Sequence, residues 1–214
     1  MEHHPPLSEL PEVLFNWLIV TRQNVMENLK RKRPVRLLSS HLPVLATWGE
    51  KADYPVNLTV KGIGLVPKME RLEKSTLLLE DVFEKAKELP WEQSLPDRIA
   101  AIRKIYENQE DLDRRYLGGL EIFAGRAFRN LSANPFCSLL FMGVAMDHRK
   151  VRYISFQLNG RVEILDNNNP YYRFLVAAKR IFEFEIFHLI LGGYPYGYLL
   201  HIDEVLDKSP QPSV

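Results

Sequence analysis

Near the start of the chain, Leu10, Val13, Leu14, Trp17 and Leu18 recur at the three- and four-residue spacing of a helix face, followed by Val25, Met26 and Leu29. Ser8 is the expected N-cap and Pro34 the stop. The basic run Lys30-Arg31-Lys32-Arg33 then falls in the last helical turn, where cations meet the negative end of the macrodipole. This predicts a solvated helix end rather than a nucleic-acid patch. The period next shortens to two. Pro43 to Trp48 reads as a strand, Gly49 to Asp53 as a polar turn, and from Tyr54 onward Val56, Leu58 and Val60 point one way while Asn57, Thr59 and Lys61 point the other. The two segments predict an antiparallel hairpin with Val56, Leu58 and Val60 on its buried face. Gly62-Ile63-Gly64 reads as a bend.

From about Pro67 to Arg115 the pattern is helical again. Leu72, Leu79, Val82, Phe83, Ala86 and Leu89 form one stripe, and a second helix is expected to start near Pro96 with Ile99, Ile102, Ile105 and Tyr106. Strands follow: Leu120 to Phe123 is short, Phe136 to Met142 is a continuous apolar run suited to a central strand, and Ile154, Phe156, Leu158, Val162 and Ile164 mark a long alternating one. Gly160 falls where such a strand would bend at a barrel corner. Arg126 to Asn134 predicts one or two helical turns, and Asn169-Pro170 opens a helix through about Arg180. Phe184 to Phe187 and Tyr198 to Ile202 read as a last strand pair. The sum is an α+β protein: one domain over residues 1–214, an antiparallel split β-barrel of about six strands with peripheral helices, and a two-helix insertion at 67–115.

Composition narrows the setting. The chain has 214 residues, 46% hydrophobic and 26% charged, with a formal net charge of +1, which excludes disorder and gives no global field for nucleic acid or an anionic membrane. The most apolar window, Ile181 to Leu200, is broken by Glu183, Glu185, His188, Gly192, Gly193 and Pro195, too often to span a bilayer. A lone cysteine, Cys137, makes no internal disulfide, and the start lacks a secretory pattern, so a cytoplasmic protein is expected. No Gly-x-Ser-x-Gly, Walker loop, dinucleotide fingerprint or zinc-ligand spacing occurs, and no metal is expected.

The informative stretch runs from Gly125-Arg126-Ala127-Phe128-Arg129 through Asn134-Pro135 into the strand Phe136 to Phe141. With Leu158-Asn159-Gly160-Arg161-Val162-Glu163 downstream, and Val44 to Thr47 followed by Tyr54-Pro55-Val56 upstream, it resembles the FMN-binding split β-barrel superfamily that includes the pyridoxamine 5′-phosphate oxidases. About 120 residues are covered, in the family's order; residues 67–115 are outside it. The resemblance implies a homodimer that binds FMN between subunits and serves a flavin-dependent oxidoreductase chemistry on an unnamed substrate. It places Arg126 on the FMN phosphate, with Lys61 near the phosphate or the isoalloxazine edge and Ser155 and Gln157 hydrogen-bonding the flavin or ribityl chain. A guanidinium at a helix N-terminus suits that role, because its fork and the free N–H groups all donate to one dianion.

Two departures sharpen the reading. The lysine usual after the arginine is Ala127, so Arg129, one turn on, is the expected second cation. Tyr198 to Asp207 lacks the tryptophan and arginine of the oxidases' closing segment, which sets pyridoxamine phosphate oxidation itself aside. Some split barrels bind haem or a deazaflavin instead, with His188 or His201 as the axial ligand to test. A cofactor-less interaction protein, docking through the inserted helices, is the third reading.

Overall fold

A computed structural model describes residues 6–34, 40–49, 53–147, 150–182 and 193–210. Among the described residues seven strands form one antiparallel sheet: β1 (Val44–Trp48), β2 (Val56–Val60), β3 (Ile63–Pro67), β4 (Leu112–Glu121), β5 (Phe136–Asp147), β6 (Lys150–Leu165) and β7 (Tyr196–Asp207). Their order is β2-β1-β5-β6-β7-β4-β3. The two edge strands, β2 and β3, are consecutive in sequence and separated by Lys61 and Gly62 alone. So short a link requires the sheet to curl until its edges approach. Gly62 lies against β4 there, with its carbonyl oxygen 2.6 Å from where a side chain on Gly119 would begin. The edges do not pair with each other, so the barrel is split.

The described sheet has seven strands where about six were expected, and one of them was not foreseen: Ile63 and Gly64 belong to β3, not to a bend, and pair with Gly119 and Gly118. Glycines on both strands hid this from a pattern of hydrophobic positions. The Phe184–Phe187 strand of the sequence reading, and His188, lie outside the described residues.

Among the described residues five α-helices pack around the sheet. α1 (Glu12–Lys30) is buried along most of its length through Leu14, Phe15, Trp17, Leu18, Ile19 and Met26. Trp17 rests on Gly143 of β5, where a Cβ would stand 2.3 Å from its ring. Ser8 does not cap this helix. Pro11 is the residue before its first turn, and Ser8 instead donates its backbone N–H to Ile202 and its hydroxyl to the Asp203 carbonyl, fastening the chain start to β7. α2 (Met69–Ala86) and α3 (Trp91–Glu107) leave and return between the paired strands β3 and β4. α3 begins five residues before Pro96, which sits inside it. α4 (Arg126–Ala133) and α5 (Pro170–Arg180) occur where the pattern placed them, α5 with Asn169 as N-cap accepting from the Tyr171 N–H.

The helices cover the sheet unevenly. α5 packs on the outer side of β4 and β7, with Leu175 over Gly118 and Tyr172 over Gly197. Tyr198, Leu199, Leu200 and Ile202 are consequently all buried, both faces of β7 being covered. No described helix covers the outer face of β2, β1, β5 and β6. There Val56, Leu58 and Val60 are 46%, 66% and 54% exposed, which reverses the expectation that they face the core. Polar Asn57 and Thr59 of β2 are half-buried instead. Among the described residues no helix is long and apolar enough to cross a membrane.

Candidate functional site

The site forms where β4 ends and α4 begins. α4 extends from the split toward β1 and β2, and its inward side chain, Asn130, donates to Thr47 Oγ1 at 3.1 Å. Gly49 makes room for it, since a Cβ there would stand 2.9 Å from Asn130 Oδ1. On the other flank Phe128 stacks on Tyr196 at the start of β7, ring centroids 4.7 Å apart. The helix is therefore fixed to both halves of the barrel, and its N-terminus is presented at the surface.

No side chain caps that N-terminus; Gly125 stands there, with nothing within 4 Å of where its Cβ would be. Arg126 and Arg129 are exposed, three residues apart on the same side of α4. Arg126 donates one Nη2 hydrogen bond to the Tyr54 carbonyl, 2.8 Å away, which ties the helix start to the β1–β2 turn and leaves most of its fork in solvent. Ala127 is buried beneath them. Tyr54 and Phe123 are the exposed aromatics at this end, 80% and 73% accessible. The donor set, two guanidinium groups and unclaimed helix N–H groups, fits a phosphate monoester.

The other expected site residues are placed differently. Lys61 does not point free toward this surface. Its Nζ lies 2.6 Å from Glu121 Oε2 and 5.5 Å from the Tyr198 ring centroid, with most of the side chain buried. Lys61 is thus a partner of a buried carboxylate, and its charge is already spent. Ser155 and Gln157 lie on β6, the third strand from β2, or about 14 Å across at ordinary strand spacing. Within one chain they do not converge on Arg126. The main chain of Ser155 is held by the C-terminal segment, through Lys208 N–H and Ser209 Oγ. Gln157 donates to Asn159 Oδ1, which also accepts from Ser138, while Asn159 donates to Glu204. This polar chain lines a shallow groove of about 480 Å³ between Trp48, Phe136 and Glu204.

His201 packs edge-on against Tyr116, and its Nε2 is 3.1 Å from Glu163 Oε2, so an acidic side chain already engages that nitrogen. Cys137 is buried, and burial pushes its thiol up to about 12, far from thiolate chemistry. No group of three or more His, Cys, Asp or Glu that would hold a metal ion occurs among the described residues.

Glu121 and Tyr198 were missed in the sequence because their partners lie far along the chain. Glu121 is 60 residues from Lys61 and 77 from Tyr198. Burial alone would raise the Glu121 pKa, but hydrogen bonds from Lys61, Tyr198 and the Phe123 N–H outweigh it and hold the carboxyl below its ordinary value. Tyr198 moves the opposite way, raised first by burial and then by its bond to Glu121.

No protein-family model and no curated protein sequence matches this chain. Solved structures of similar fold are found at low identity. An FMN-binding protein from Syntrophomonas wolfei aligns with TM-score 0.45 and 10% identity, over 94% of this chain and 92% of that one. A candidate pyridoxamine 5′-phosphate oxidase from Lactobacillus delbrueckii aligns with TM-score 0.43 and 16% identity, over 92% and 93%. The haem-storage protein HutZ from Vibrio cholerae aligns with TM-score 0.42 and 10% identity, over 78% and 85%.

Proposed function

We propose that this protein is an FMN-binding redox protein that works as a homodimer. The observation that carries the reading is the pair of exposed guanidinium groups, Arg126 and Arg129, at the uncapped N-terminus of α4. A phosphate monoester carries nearly two negative charges near neutral pH, and a bidentate guanidinium contact supplies direction as well as charge. When bound, a flavin supplies one- and two-electron transfer. The chain's own contribution is anchoring: Arg126 and Arg129 hold the phosphate end, and Asn130 and the Phe128–Tyr196 stack keep α4 from yielding.

Homodimerisation is supported by the bare outer face of β2, β1, β5 and β6. Val56, Leu58, Val60, Met142, Val144 and Tyr153 are each close to half exposed or more, on a sheet whose inner face is a packed core. An apolar expanse of this kind on a soluble protein marks an interaction surface. Ser155 and Gln157 project from the same face, where a second copy would meet them.

The experiment is an absorbance spectrum of purified protein followed by titration with FMN, and separately with haem. A flavin spectrum, or saturable FMN binding without a Soret band on haem addition, supports the reading. Colourless protein that ignores FMN contradicts it.

A further inference from the structure

Three consecutive backbone N–H groups, those of Ile122, Phe123 and Ala124, converge on Glu121 Oε1 at 3.1, 3.0 and 3.1 Å. Its Oε2 accepts from Lys61 Nζ and from the Tyr198 hydroxyl. Successive N–H donors around one point form an anion-binding concavity, usually met with phosphate or another external anion. Here the anion is a side chain of the same strand, 1% exposed. The turn it fills has little else to hold it. Phe123 faces solvent, nothing packs where a side chain on Gly125 would lie, and Ala124 adopts φ +45°, a left-handed conformation that costs a residue with a Cβ about 1 kcal/mol or more. Hydrogen bonds to one carboxylate, rather than packing, determine its course.

We propose that Glu121 is the positioning residue of the anion site: an internal carboxylate fills the donor cradle between β4 and α4, and so sets where Arg126 stands before any ligand arrives. The consequence for FMN affinity rests on the reading above; the role in shaping the turn does not. Two corollaries follow from the geometry. Lys61 acts through Glu121 and not by touching the ligand. The cradle itself, with three N–H groups, an ammonium and a phenol, accepts a free carboxylate once the side chain is removed.

The test is chemical rescue in flavin-free protein. Glu121→Ala should melt lower than wild type. Formate should restore at least half of the loss where chloride at the same ionic strength does not, and wild type should not respond to formate. In FMN titrations the same variant should bind about tenfold more weakly and recover with formate. A melting temperature of Glu121→Ala that formate leaves unmoved overturns the proposal. Should that variant fail to fold, Glu121→Gln decides: its amide oxygen keeps the N–H contacts and loses the Lys61 ion pair, so a folded protein of lower stability that binds FMN within about twofold of wild type supports positioning through the turn, and binding lost as fully as in Arg126→Ala overturns it. If wild type ignores FMN while formate rescues Glu121→Ala, the flavin reading falls and the role of Glu121 in the turn stands.

Discussion

The two halves of the barrel are built from equally apolar strands and finished differently. β7, β4 and β3 have α5 and α2 against their outer side, and Tyr198, Leu199 and Leu200 are buried in succession. β5 is just as apolar in Phe136-Cys137-Ser138-Leu139-Leu140-Phe141-Met142, yet only alternate residues, Cys137, Leu139 and Phe141, are buried. One half covers itself with its own helices. The other leaves a face whose composition suits a core and whose position is the surface. The difference teaches that an apolar strand face does not choose its own side: among the described residues nothing covers the outer face of the bare half, and β2 states it most sharply, with Val56, Leu58 and Val60 outward and Asn57 and Thr59 inward.

The largest expected effect attacks that face directly. Leu58→Arg together with Val144→Asp puts two charges where a second copy would desolvate them, at a cost of about 3 kcal/mol or more in association. Sedimentation should show wild-type dimer and variant monomer at micromolar concentration, with an unchanged far-ultraviolet spectrum. A wild type that sediments as a monomer removes dimerisation as the reason for the bare face. Next is Gly160, at the seam of β6 with β7, where the register shifts and a Cβ would stand 2.1 Å from the His201 carbonyl oxygen. Gly160→Ala should destabilise by about 3 kcal/mol in denaturant titration, because the obstacle is backbone and cannot rotate away.

The covered half is broken from its helices. Arg98, 6% exposed, donates to the carbonyls of Ala86 and Ile181, at the ends of α2 and α5, and to Ser94 Oγ. Burial lowers its pKa, and the helix ends supply the compensating partial charge. Arg98→Met strands both carbonyls and should cost about 2 kcal/mol, read as a lower melting temperature with dimerisation intact. The smallest effect is acid sensitivity. The folded-state pKa of Glu121 lies below its ordinary value of 4.5, so its contribution is fully present above that value and is lost as pH falls through the folded-state one. The stability gap between wild type and Glu121→Gln should therefore stay constant above pH 4.5 and close as pH falls below it toward the folded-state value, measured by melting across pH 3 to 7.

Local pattern carried much of this architecture. The spacing of Leu14, Trp17 and Leu18 was enough for α1, Asn169-Pro170 for the start of α5, and Gly160 for the irregularity in β6. The alternation in β2 was read correctly as one apolar face; which side that face took was not legible, because alternation gives a face and not its direction. β3 was lost among glycines. At the site, Arg126 and Arg129 were visible as a local motif beside Asn134-Pro135. Glu121, which shapes their approach, was not, since its two side-chain partners come from β7 and from the residue after β2.

The central claim is that α4 presents a phosphate-binding pair of guanidinium groups. Quenching of FMN fluorescence, titrated with wild type, Arg126→Ala and Arg129→Ala at fixed ionic strength, tests it most directly. The account predicts saturable binding by wild type, a loss of well over tenfold in Arg126→Ala and a smaller loss in Arg129→Ala. Equal FMN affinity in wild type and Arg126→Ala would contradict it.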